Sequence, residues 1–125
     1  MSVRPSDFLE SALSFSDDFN EMAIRNKVSR AYYGAYLTAR DWQVKSGKRI
    51  PETINGGVHA RLISFYHKGL CSDLPSEEQE KLAGILSLAK SLRTKADYKL
   101  NLHIPASDGH TAVRCAKKIS SILGY

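Results

Sequence analysis

The stretch LRTKADYKL, Leu92 to Leu100, sets Arg93 and Asp97 four residues apart with Tyr98 beside them. On a helix these two charges are neighbours one turn apart and can satisfy one another. A guanidinium carries five N–H donors, more than a single carboxylate accepts, so Arg93 keeps donors for other polar groups or a bound anion. A comparable group lies upstream in RNKVSRAYYGAYLTAR. On a wheel of about 100° per residue, Asn26, Arg30, Tyr33 and Leu37 share one side, opposite an apolar face of Ile24, Val28, Ala31, Ala35, Ala39 and Trp42. Arginine offers a fork to phosphate, and tyrosine can hydrogen-bond or stack on a base. Asn26, Arg30, Tyr33 and Arg93 are therefore the candidate phosphate- or RNA-binding residues. The competing reading leaves Arg30 and Tyr33 partly exposed, merely stacking or snorkelling.

The histidines carry less. His59 falls in the first turn of a short helix, where the dipole disfavours its protonated form, so a neutral hydrogen-bonding or capping role is expected, in a structural polar network that also includes Asp97. His67, beside Lys68, reads as a surface residue; His103 and His110 flank the loop around Pro105. No pair has the four-residue spacing of a helical metal site, and there is no phosphate-binding glycine loop, nucleophile elbow or Mg²⁺-type carboxylate cluster. No metal or cofactor is expected.

Periodicity and Gly/Pro punctuation position these residues on about five helices, with no alternating strand pattern of useful length, so the fold class expected is all-α. The first helix follows Pro5 and aligns Phe8, Ala12, Phe15 and Phe19 before a break near Asp17. The second starts at an Asp18/Glu21 capping box and runs to Gly47, roughly 40 Å long. After the loop GKRIPETINGG comes a third, VHARLISFYHK, burying Val58, Leu62, Phe65 and Tyr66. The fourth starts at a Ser76/Gln79 capping box and reaches about Asn101, with a buried arc of Leu82, Ile85, Leu86, Ala89, Leu92, Ala96 and Leu100. Arg93 and Asp97 fall close to that arc, as a buried pair. The fifth spans about Asp108 to Leu123, with Ala112, Ala116, Ile119 and Leu123 inward and Arg114, Lys117 and Lys118 outward.

A chain of 125 residues suits one domain, residues 1–125. With 42% hydrophobic and 25% charged residues it reads as an ordinary globular protein. No apolar run approaches the roughly 18 to 20 residues of a membrane span, and MSVRPSDFLE has no secretory signal, so a cytoplasmic location is expected. Cys71 and Cys115, distant in sequence, are expected to be reduced. The net charge of +5 suits an acidic partner such as RNA without specifying one.

The long RNKVSRAYYGAYLTAR helix, followed by VHARLIS and then by LRTKADYKL, resembles the HEPN superfamily, specifically its stand-alone prokaryotic branch with an SRAYYAAF-like helix and an R-x-x-ADY signature. The resemblance covers about Pro5 to Leu123. It implies a bundle of four to five helices, a homodimer with a shared cleft, no metal or cofactor, and RNA as a target. Many members are metal-independent endoribonucleases of toxin–antitoxin or phage-defence systems, some paired with a nucleotidyltransferase-type antitoxin. The family's active-site motif is Arg, four to six residues, then His, in which His handles the proton and Arg the phosphate charge. By that resemblance Arg93 takes the arginine role. Tyr98 stands where the shortest motif has His and is taken with Arg93 as a candidate catalytic residue, although no residue of the chain matches the His role itself. Positions 99 and 100 are Lys and Leu, and His103 lies beyond the spacing. A phenol with an ordinary pKa of about 10 is a poor base at neutral pH. Two functions follow: an RNA-associated protein, a ribonuclease if active, or a non-catalytic HEPN module that binds a nucleotide or a partner protein.

Overall fold

The computed structural model describes residues 3–125, and among these every regular element is a helix: α1 Pro5–Ser14, α2 Glu21–Lys45, α3 Val58–His67, α4 Ser76–Tyr98 and α5 Ala106–Leu123. None is long and apolar enough to cross a membrane. The all-α bundle expected from periodicity is the observed architecture. Its axis is α2, about 37 Å long at 1.5 Å per residue, which contacts each of the other four helices.

This centrality follows from composition. Val28, Ala31, Ala35 and Ala39 are no more than 1% exposed, and small side chains at those positions let neighbours approach the α2 backbone closely. Gly34 extends the same logic toward α1: a Cβ there would lie 3.2 Å from the backbone nitrogen of Leu9. On α5, Ala112, Ala116, Ile119 and Leu123 are buried while Arg114, Lys117 and Lys118 are exposed, as their spacing requires.

Several local expectations are corrected. The cap of α2 is Asn20, whose side chain accepts from the Ala23 amide at 3.2 Å; Asp18 lies too far upstream and instead meets Lys27 and His110. Val58 and Phe19 are exposed, because each stands at or beyond a helix end where no neighbour covers it. Helix α4 stops at Tyr98, so Leu100 leaves the arc and is 77% exposed. Helix α5 begins two residues before Asp108, after Pro105.

The Ser76/Gln79 capping box also does not form. Gln79 turns inward, 1% exposed, where its amide accepts from the Cys71 amide at 2.9 Å and donates to the carbonyls of Cys71 at 2.6 Å and Leu74 at 2.8 Å. A buried side chain thus supplies the hydrogen bonds that the α3–α4 loop cannot obtain from water. Gln79→Ala is expected to cost about 2 to 3 kcal/mol, because the loop's polar groups lose their partners in a dry site; chemical denaturation measures it, and a loss below about 0.5 kcal/mol contradicts the role. Both cysteines are buried and free.

Candidate functional site

The groups of interest meet where α2, α3 and α4 adjoin. Tyr33 and Ser29 lie on the edge of α2 that α4 leaves partly open, and each makes a hydrogen bond across that seam. Arg93 Nη2 donates to Tyr33 Oη at 2.7 Å, and Ser29 Oγ donates to Asp97 Oδ2 at 3.3 Å. Arg93 Nε stands 3.2 Å from Asp97 Oδ2, an ion pair in which the Nε–H is not aligned on the oxygen. The pair expected to be buried instead occupies the margin of the core, with side chains 14% and 26% exposed. The reason is that α4 ends one residue after Asp97, so no further turn covers it.

Aromatic rings enclose the guanidinium. Its carbon lies 5.3 Å from the ring centroids of Tyr33 and Tyr98 and 5.7 Å from that of Tyr32, within cation–π range. Tyr98 itself is 66% exposed, so one wall of this enclosure faces solvent.

Helix α3 contributes His59. The imidazole stacks on Tyr36 at 4.0 Å between centroids, and its Nδ1 shares a 2.5 Å hydrogen bond with Tyr32 Oη. Gly57, not His59, occupies the N-cap position of α3. Burial, with the positive charges of Arg93 and Lys90, holds the ring below its ordinary pKa, so it is neutral at pH 7. Burial likewise pushes the Tyr32 phenol well above its usual range. Tyr32 therefore keeps its proton, and because Nδ1 is the one partner of its buried hydroxyl among the described residues, the arrangement that leaves no hydroxyl proton unpaired has Tyr32 donating to Nδ1 and the imidazole proton on Nε2. In this state His59 offers a donor rather than a base.

The sign of the resulting pH dependence follows. His59 binds protons less readily folded than unfolded, so its contribution to stability is complete above about pH 6.5, the unfolded pKa, and is lost as pH falls below it. Melting temperatures from about pH 7.5 down to 5 are expected to fall less steeply in His59→Gln than in the wild type; superimposable profiles would contradict this linkage.

Of the other residues expected at a site, Asn26 and Arg30 are exposed on the same open strip of α2 as Tyr33, but neither has a hydrogen bond to the Arg93 cluster. His103 and His110 do not approach it. They pair with Glu21 at 2.8 Å and Asp18 at 3.2 Å, where they fasten the start of α2 to the loop before α5 and to α5 itself. Among the described residues, no three His, Cys, Asp or Glu side chains converge as a metal ion requires.

Compared with known proteins, the chain matches no family model, no curated protein and no solved structure.

Tyr32, Tyr36, Ser29 and Lys90 join the site without having been singled out in the sequence. The repeated tyrosines of RAYYGAY were a usable signal, since positions 29, 32 and 36 share a helical face. What they face is decided by the docking of α3. Arg25 was also missed. It is 5% exposed and donates to the carbonyls of Ala96 at 2.8 Å, Lys99 at 3.3 Å and Leu102 at 2.6 Å, closing the α4 terminus that presents Asp97 and Tyr98.

Proposed function

We propose that this chain is a HEPN-type protein that holds RNA through phosphate contacts at Arg93, and that it acts as a homodimer in a toxin–antitoxin or phage-defence setting. The observation that carries this reading is the state of Arg93. Its guanidinium is nearly enclosed, yet among the described residues Tyr33 is its one aligned hydrogen-bond acceptor, and its Nε has none. A desolvated cation with spare donors attracts an anion that brings several oxygens, as a phosphodiester does. Arg30 and Asn26 extend the polar strip beside it, and the exposed ring of Tyr98 offers a base a stacking surface.

The chemistry favours binding over cleavage. Tyr98 stands in the place of the family's histidine, and the one histidine in the cluster, His59, presents an N–H instead of a lone pair. That specific geometry supports the second reading, a non-catalytic module for RNA, a nucleotide or a partner protein such as a nucleotidyltransferase-type antitoxin. Homodimerisation draws support from exposed Met22 and Leu100, which Arg25 gathers at one end by joining the first turns of α2 to the residues after α4. Light scattering reads the particle mass, and a strict monomer at micromolar concentration opposes the dimer. For RNA, labelled single strands are incubated with the protein in EDTA and followed by anisotropy and on gels. Binding that weakens in Arg93→Ala is the expected result, and no binding and no cleavage by the wild type would sink the proposal.

A further inference from the structure

The outer face of α4 carries a groove of about 460 Å³ bounded by Ser87, Lys90, Ser91, Thr94 and Lys99, with Leu102 at its lower edge. Its cations are not equivalent. Lys95, also on the rim, is neutralised by Asp108 at 2.6 Å, whereas among the described residues Lys90 and Lys99 have no carboxylate within ion-pair distance. No Asp or Glu lines the groove. Ser91 donates inward to the Leu88 carbonyl, but the hydroxyls of Ser87 and Thr94 donate to no protein acceptor among the described residues. The surface therefore combines two unneutralised ammonium groups with free hydroxyl donors.

This groove adjoins the Arg93 cluster on α4. Lys90 precedes Arg93 by three residues on α4 and Thr94 follows it directly, so both lie to one side of Arg93 around the helix, the side that carries the groove. Lys90 and Arg93 act together on His59, which places groove and cluster in one positive field. At the other end Arg25 holds the carbonyls of Lys99 and Leu102, fixing the lower edge. Lys90 sits on α4 and Lys99 immediately beyond its last residue, so their axial separation is roughly 13 Å, the rise of nine residues.

We propose that this groove is a second phosphate-binding stretch, which takes the backbone of single-stranded RNA as it leaves Arg93; the proposal rests on the RNA reading above. A single strand fits better than a duplex because Leu102 and the exposed Tyr98 ring are of use only to bases free to unstack.

The test is the salt dependence of binding, with a labelled oligouridylate of about 12 nucleotides titrated across a series of KCl concentrations. Each phosphate contact contributes about 0.7 to the slope of log K against log salt for single strands. The double variant Lys90→Ala/Lys99→Ala is expected to lower the slope by about 1.4, two contacts' worth. Lys117→Ala/Lys118→Ala on α5 removes the same charge from an exposed face elsewhere and is expected to leave the slope unchanged. An unchanged slope in the α4 double variant overturns the proposal. So does an equal fall in the α5 pair, which would mean diffuse attraction, or displacement of the oligonucleotide by polyglutamate as readily as by unlabelled RNA, which would mean a surface for any polyanion, proteins included. If the wild type binds no RNA, the underlying RNA reading fails; if it binds and loses affinity in Arg93→Ala but not slope in the α4 double variant, the groove alone fails.

Discussion

Arg25→Ala is expected to lower the stability of the fold by about 3 kcal/mol and its melting temperature by roughly 10 to 15 °C. The side chain is almost wholly buried, and it satisfies three carbonyls at once while pairing with Glu21 at 3.2 Å. One of those carbonyls, that of Ala96, belongs to the last turn of α4, where no amide of the helix can reach it. The positive charge also opposes the negative end of the helix dipole. Alanine would leave the Ala96 carbonyl without a donor in a buried place and remove the Leu102 carbonyl's partner, while the Lys99 carbonyl keeps the Leu102 amide at 3.1 Å. Arg25→Lys is expected to recover only part of the loss, since one ammonium cannot span three carbonyls distributed around a planar fork. Thermal and urea melts measure both variants. A cost below about 1 kcal/mol for alanine would show that the α4 terminus is held by something else.

Arg93→Ala separates the site from the scaffold. Its folding cost is expected to be about 1 to 2 kcal/mol, below the 3 to 5 kcal/mol typical of breaking a buried ion pair. Asp97 is 26% exposed and keeps the hydrogen bond from Ser29, so it is not abandoned in a dry core. The effect on RNA is expected to be larger. Loss of charge-assisted hydrogen bonds to phosphate corresponds to a roughly 10- to 100-fold weaker Kd, and Arg93→Lys, which retains the charge but not the fork, should fall between. Equal affinity of Arg93→Ala and wild type would remove the arginine from the proposed site. Tyr98→His tests the catalytic position in the same assay, because it restores a histidine to the end of α4 at a position exposed enough to accept it. Metal-independent cleavage that rises above wild type in this variant is the expected outcome if the cluster otherwise retains the geometry for phosphoryl transfer. No change would assign the site to binding alone.

The contrast between these variants reflects how the residues appear in the chain. Arg93 and Asp97 stand out because charges sit next to an apolar arc, and Tyr33 because it breaks a polar side of a long helix; period alone places them. Arg25 gives no such signal. Besides Glu21 one turn upstream, its partners are backbone carbonyls more than seventy positions away, and a carbonyl has no sequence identity to read. Gln79 misled for the opposite reason. The local pattern Ser-x-x-Gln is that of a cap, but the loop from Cys71 to Leu74 packs against the same helix end and offers the amide more bonds in a dry place than a cap would.

By itself the sequence determined the all-α class, the number of helices and the inward faces of α2 and α5, because helical period and chain breaks are properties of neighbouring residues. It also nominated Arg93, Asp97 and Tyr33. Only the tertiary structure decided that His59 lies against Tyr32 and Tyr36, that Asn26 and Arg30 stay outside the Arg93 cluster, and that His103 and His110 are fasteners of α2. It also moved the Arg93–Asp97 pair from the core to its margin. Each of those outcomes depends on how α3 and the ends of α4 dock on α2. Docking is set by packing and hydrogen bonding between segments far apart in the chain, which a one-dimensional pattern does not contain.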